Sequence, residues 1–141
     1  MGFASLMLAD SARVADGLLF VLGGGVNQFH RPIYPAPLQV VLVGLIELPV
    51  GYSGELITFT VEVKAAEDED VYAHFEAGFQ VGLKPGAMKR GNTAPIVIDL
   101  APVALPKPGF FVVEATIADE EPSRAYFTVS RDAASESGQP T

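Results

Sequence analysis

The stretch VYAHFEAGFQVGL (71–83) decides the fold class, because its apolar side chains recur at every second position. All odd positions from Val71 to Leu83 are apolar, whereas the even positions carry Tyr, His, Glu, Gly, Gln and Gly. A period of two is typical of a β-strand with one buried face. A helix would hold glycines in its interior and would leave half of these apolar positions unexplained. We therefore predict one long strand here.

The same alternation recurs at 57–65, 111–117 and 127–129. Turn-forming residues separate the alternating segments, so the connections are too short for helical crossovers and antiparallel pairing is favoured. No segment has the pattern of a capped amphipathic helix. We predict strands at 4–9, 17–22, 26–30, 38–48, 55–66, 71–83, 95–101, 110–118 and 125–130. This spacing predicts an all-β fold: an antiparallel β-sandwich, immunoglobulin-like in general architecture, with about eight or nine strands.

Length and composition predict a single folded domain. The chain has 141 residues, and hydrophobic residues make up 49% of it, which excludes a chain disordered throughout. The final segment, RDAASESGQPT (131–141), contains no apolar residue larger than alanine. We therefore predict one β-sandwich domain over residues 1–130 and a disordered tail over residues 131–141.

Charge and cysteine content argue against several classes of partner and site. The chain carries 9 basic and 17 acidic residues, a net charge of -8, which disfavours binding to nucleic acid or to an anionic membrane. Cysteine is absent, which excludes disulfides, thiolate metal sites and cysteine nucleophiles. No basic residue precedes Arg13, and the longest apolar run, 40–46, is shorter than a membrane span. We expect a cytoplasmic protein with no nucleic-acid or membrane partner.

Four short motifs resemble parts of active or ligand sites, and each has a simpler structural interpretation. The glycine run 23–25 lacks the lysine and helix of a phosphate loop, which favours a bend. Ser53 is followed directly by glycine, unlike the serine of a nucleophile elbow. The acidic run 67–70 lacks the interleaved glycine and distal Glu of a calcium loop. His30 and His74 could join a carboxylate in binding zinc, but Arg31 beside His30 disfavours a cation. We therefore expect a protein that is not an enzyme, with no metal and no cofactor.

The segment LQVVLVGLIEL (38–48) is apolar on both faces of its predicted strand. Val40, Leu42 and Ile46 form one face, and Val41, Val43 and Leu45 form the opposite face. Segments 6–9 and 18–22 repeat this pattern. Without a helix to cover the second face, either the proline-rich segment RPIYPAP (31–37) or another subunit covers it. We take Val41, Val43 and Leu45 as candidate interface residues.

A second candidate interface is basic. Lys84, Lys89 and Arg90 lie in a stretch, 77–98, that contains no Asp or Glu. Complementary charge steers association, so this stretch could dock on the acidic run 67–70 of another copy. The alternative is a solvated loop with no partner.

Two sets of turn and strand motifs lie near the two ends of the chain. The first is LAD (8–10), then ADGL (15–18), a hydrophobic strand and GGG (23–25). The second is PGF (108–110), an alternating strand, Asp119 and a final strand through Phe127 and Val129. They resemble the opening and the closing hairpin of an uncharacterised bacterial protein family, a domain of unknown function, of small β-sandwich proteins. The resemblance implies the fold and carries over no catalytic residue.

These observations predict a non-enzymatic binding or assembly module. We expect a homo-oligomer, or a complex with a protein partner, formed through an apolar sheet face. The alternative is a small protein that binds an apolar ligand in a pocket between its sheets. An exposed apolar face distinguishes the first function, and an apolar cavity distinguishes the second.

Overall fold

The structure is a computed structural model that describes residues 2–81, 92–118 and 120–131. These residues form strands and no helix, so the predicted all-β fold is confirmed. The strands are β1 (Gly2–Ala9), β2 (Ser11–Ala15), β3 (Leu18–Leu22), β4 (Gln28–His30), β5 (Ala36–Pro37), β6 (Val41–Leu48), β7 (Ile57–Ala65), β8 (Val71–Phe79), β9 (Asn92–Asp99), β10 (Ala104–Leu105), β11 (Gly109–Ile117) and β12 (Ser123–Ser130).

Each of the nine predicted strands corresponds to an observed strand, but the described residues form twelve. Two of the three additional strands, β5 and β10, are two-residue segments that pair with each other. The third, β2, has five residues and pairs with β3. The sequence does signal this hairpin, because Asp16-Gly17 is a preferred two-residue turn between antiparallel strands.

Most of the strands belong to two sheets. The larger has the order β4-β12-β11-β7-β8, and the smaller has the order β1-β6-β9. Every pairing is antiparallel except that of β12 with the short edge strand β4. The immunoglobulin-like arrangement expected from the sequence is not confirmed by this combination of sheets.

The two sheets share one hydrophobic core, built by the alternation seen in the sequence. Alternate residues of β7 and β11 are buried in it, as are Leu42, Ile46 and Leu48 of β6. The rings of Phe3 and Phe59 meet edge to face with centroids 6.2 Å apart, which links β1 to the larger sheet. A Cβ atom on Gly44 would lie 3.1 Å from the Phe3 ring, so glycine lets this ring lie close over β6.

The proline-rich segment 31–37 packs at the main core and is held by an arginine. The Arg31 guanidinium donates hydrogen bonds to the carbonyl oxygens of His30, Pro37 and Leu38. Leu38 belongs to the main core, and Tyr34 packs against it. Burial raises the pKa of the Tyr34 phenol, although the charges of Arg131 and Arg31 oppose this shift.

Candidate interaction surface

The second apolar face of β6 is largely buried within the chain, in a sheet that the β2–β3 hairpin lies against. Val43, which pairs with Met7 and Val97 on the neighbouring strands, is 1% exposed and lies outside the main core cluster. The hairpin contacts both β6 and β9. Val41 and Leu45 are half-buried. Of the predicted interface residues, Val43 is therefore the one buried within the chain, and the hairpin 11–22 lies near its strand.

The predicted basic interface cannot be placed. Lys84, Lys89 and Arg90 lie outside the described residues. The acidic run 67–70, which was expected to face them in another copy, forms the exposed turn between β7 and β8. Within this run, Oε1 of Glu69 lies 3.6 Å from Nζ of Lys64.

The β2–β3 hairpin is shaped by glycines at its two ends. Asp16 and Gly17 have φ angles of 53° and 73°, as a type I′ turn requires. At the base, the amide of Gly25 donates to the carbonyl oxygen of Leu8 at 2.8 Å, and the glycine run 23–25 forms the predicted bend. A Cβ atom on Gly23 would lie 2.7 Å from the Asp10 carboxylate, so the bend excludes a larger residue.

Because side chains alternate along each strand, the hairpin has two distinct faces. Its inner face places Ala12, Leu19 and Val21 in half-buried positions. Its outer face carries Leu18, Phe20 and Leu22 of β3, which are 62%, 47% and 72% exposed. Their partners on β2 are, in order, Ala15, Arg13 and Ser11. We call these six outer residues the hairpin face.

The hairpin face combines apolar surface with one cation. The Arg13 guanidinium carbon lies 5.2 Å from the centroid of the Phe20 ring, within the range of a cation–π contact. Arg13 has no carboxylate within ion-pair distance among the described residues. Exposed carboxylates, Asp10 and Asp16, flank the face at its base and its tip. Exposed apolar side chains around a single cation suit binding through burial of apolar surface.

The outer face of the five-stranded sheet carries a row of charged residues that pair with one another. His74, Glu62, Glu114 and Arg124 lie in register across β8, β7, β11 and β12. The Glu114 carboxylate contacts Lys64 Nζ at 3.1 Å and Arg124 Nε at 2.8 Å. His74 Nδ1 lies 3.0 Å from Glu62. We call these five residues the charged row.

The pKa values in the charged row show how tightly its centre is paired. Burial acts to raise the pKa of the Glu114 carboxyl, but the hydrogen bonds from Lys64 and Arg124 hold it below its usual value. The hydrogen bond with Glu114 likewise raises the pKa of Lys64, against the opposing effect of burial. Both groups are thus stabilised in their charged forms, which indicates a structural ion pair.

The remaining sequence motifs are dispersed. Ser53 donates its backbone N–H and its hydroxyl to the Glu55 carboxylate, and these hydrogen bonds lower the pKa of Glu55. Ser53 therefore closes a turn, in agreement with its structural interpretation. Nδ1 of His30 is buried without a partner. Within the described ranges, no three His, Asp or Glu residues are placed to share a metal ion.

Comparison with known proteins identifies the family to which the chain belongs. Residues 4–130 match a protein family described as a family of unknown function (DUF6941). No curated protein matches the chain. The part of the chain that the structure describes contains no helix long and apolar enough to cross a membrane.

The hairpin face is the feature that sequence analysis missed. The two-faced apolar pattern of 18–22 was evident, but the strand that pairs with it was not predicted. The available signal was the Asp16-Gly17 turn, which predicts a partner strand directly before it.

Proposed function

Since this chain belongs to the family of unknown function DUF6941, which assigns it no activity, we propose that it is a non-enzymatic binding or assembly module that self-associates through the hairpin face. The observation that carries the proposal is the side-by-side exposure of Leu18, Phe20 and Leu22 on one strand. Single exposed apolar residues are common on soluble proteins, but contiguous apolar patches mark interaction sites.

The distribution of exposed apolar side chains supports this choice of surface. Of the ten large hydrophobic residues that are exposed among the described residues, Leu18, Phe20 and Leu22 lie on the hairpin face, and a fourth, Val14, lies on the opposite face of the same hairpin. Segment 11–22 is a small part of the chain, so the hairpin is enriched in exposed apolar surface. A depression of about 550 Å³ runs along it, lined by residues of both strands.

The size of the patch sets the expected affinity. The exposed apolar area of three such side chains is a few hundred Å², below the ~800 Å² that each partner of a standard interface buries. Association must also offset a loss of translational and rotational freedom. We therefore expect a weak homodimer, with a dissociation constant in the micromolar range or higher.

Composition supports a proposal about the class of partner and the cellular location of the module. A net charge of -8 disfavours polyanions, so a protein partner is favoured over nucleic acid or an anionic membrane. The absence of cysteine suits a reducing compartment, and we propose a cytoplasmic location.

Sedimentation velocity from micromolar to millimolar concentration tests self-association. We expect the wild type to shift toward a dimer with concentration, and Leu22→Glu to remain monomeric because its carboxylate would be desolvated in the interface. Leu56→Glu is the matched control, since Leu56 is a leucine outside the hairpin that is 61% exposed. We expect it to behave as the wild type. A monomeric wild type over the whole range, or equal effects of the two substitutions, would contradict the proposal.

A second candidate function is the binding of a small apolar ligand between the sheets. Phe75, Ala77 and Phe79 of β8 point toward the core but are only half-buried, at an edge of the larger sheet. Apolar side chains at the mouth of a sandwich are suited to an apolar ligand. A fluorescent fatty acid analogue serves as the probe. Saturable binding of this probe to the wild type, with weaker binding to Phe79→Ala, would support this function over self-association.

A further inference from the structure

The hairpin face has a size pattern that is complementary to itself. Its β3 side carries three large side chains, and its β2 side carries two small ones, Ser11 and Ala15, with Arg13 between them. Facing sheets pack densely when large residues of one layer lie over small residues of the other. A second copy of the same face supplies this match if β3 of one copy lies over β2 of the other.

Symmetry limits how two identical faces can meet. A two-fold axis that brings the hairpin faces together lies in the plane between them, and the two directions that keep the strands of the two copies aligned run across the strands or along them. An axis across the strands places β2 over β2, with Arg13 against Arg13 and Leu18 against Leu22. This arrangement opposes two guanidinium groups and stacks large residues on large ones.

An axis along the strands removes both conflicts. It places tip over tip, so that Leu18 lies over Ala15 and Leu22 lies over Ser11 of the other copy. Phe20 then lies over Arg13, whose guanidinium already covers the Phe20 ring of its own chain at 5.2 Å. The cation, which has no carboxylate partner among the described residues, gains a second aromatic face.

We propose that a second copy of the chain docks on the hairpin face with the tips aligned, and that Arg13 of each copy binds Phe20 of the other. The inference rests on the proposed self-association and assigns its geometry. Arg13 is thereby the residue that selects this arrangement, because it repels its counterpart in the alternative one.

The direction in which Arg13→Ala changes the affinity of the dimer distinguishes the two arrangements. With aligned tips, Arg13→Ala removes two intermolecular cation–π contacts per dimer and weakens association about tenfold. With an axis across the strands, the same substitution removes a repulsion and strengthens association. Arg13→Lys retains the cation and should lose less affinity than Arg13→Ala. Tighter association of Arg13→Ala in sedimentation would overturn the inference.

Disulfide crosslinking gives an independent test, because the chain has no cysteine of its own. Aligned tips bring Ala15 opposite Leu18 of the other copy, so mixing Ala15→Cys with Leu18→Cys should give a crosslinked dimer on mild oxidation. An axis across the strands instead brings Ala15 opposite Ser11, so Ala15→Cys should crosslink with Ser11→Cys. The single variants alone set the background.

The outcomes of crosslinking distinguish this inference from the proposed function. Crosslinking of the Ala15→Cys and Leu18→Cys mixture alone supports aligned tips. Crosslinking of the Ser11→Cys mixture, or of neither, in a protein that still sediments as a dimer overturns the geometry and leaves self-association intact. A wild type that is monomeric throughout overturns both.

Discussion

The hairpin face and the outer face of the five-stranded sheet are both solvent-facing sides of β-ladders, but their side chains are covered differently. On the larger sheet, Val112 of β11 is an outward apolar residue, yet it is 4% exposed between Lys64 and Tyr126 on the flanking strands. On the hairpin, Leu22 has one cross-strand neighbour, Ser11, and is 72% exposed.

The difference shows what strand number does to a surface. A residue in a central strand has cross-strand neighbours on both sides, and long side chains there cover it. A residue in a two-stranded ribbon has one neighbour, and the neighbours of Leu18 and Leu22 on this hairpin are small. On the larger sheet Val112 is thus covered within the chain, whereas Leu18 and Leu22 of the hairpin remain exposed.

The largest effect on stability is expected from a charge placed in β6, next to the hairpin, rather than on the hairpin face. Val43→Glu buries a carboxylate at a position 1% exposed, which should cost about 4 kcal/mol or more and unfold much of the protein. Urea unfolding followed by circular dichroism measures this loss. Leu22→Glu, one layer further out, should keep the wild-type unfolding midpoint. A folded, monomeric Val43→Glu would show that this face is an interface instead.

A smaller effect is expected from the centre of the charged row. Glu114→Ala leaves Lys64 and Arg124 without their shared carboxylate and should cost about 1–2 kcal/mol of unfolding free energy. Glu76→Ala removes an exposed carboxylate of β8 and should cost less than about 0.5 kcal/mol. Equal losses would mean that the row contributes nothing beyond β-propensity.

The ion pair of Glu114 and Lys64 makes the unfolding free energy depend on pH, and the sign of the dependence follows from the two pKa shifts. Because the folded-state pKa of Glu114 is lowered, its contribution is present above the unfolded value of 4.5 and is lost as the pH falls through the folded value. The pKa of Lys64 is raised, so its contribution is lost at alkaline pH, above 10.5. In Glu114→Gln, the unfolding free energy should vary less with pH in both ranges.

The smallest expected effect lies in the hairpin turn. Gly17 has a φ of 73° and open space around its Cα, so Gly17→Ala adds only conformational strain of about 1 kcal/mol. The strain should open the hairpin, which faster amide hydrogen exchange of β2 and β3 would report, and should weaken the dimer. Gly51→Ala, at a φ of 91° in another open turn, should cost similar stability without affecting the dimer.

Local patterns in the sequence were sufficient for the fold class and for most strands. The period of two at 57–65 and 71–79 is a property of the strand itself, since successive side chains point to opposite faces whichever strand lies alongside. The bend at 23–25 was likewise predictable, because glycine run and turn occupy the same few residues. Such features need only neighbours along the chain.

The tertiary structure determines which side chains and elements lie against the outward faces of the strands. Nothing in 41–48 indicates that a hairpin from 11–22 lies against this strand, because the contact joins segments far apart in sequence. The charged row depends in the same way on the register of β8, β7, β11 and β12, and a shift of one residue would turn its side chains to the opposite face. Alternation shows which side chains share a face, but pairing order and register decide what lies against that face, and these depend on the whole folded chain.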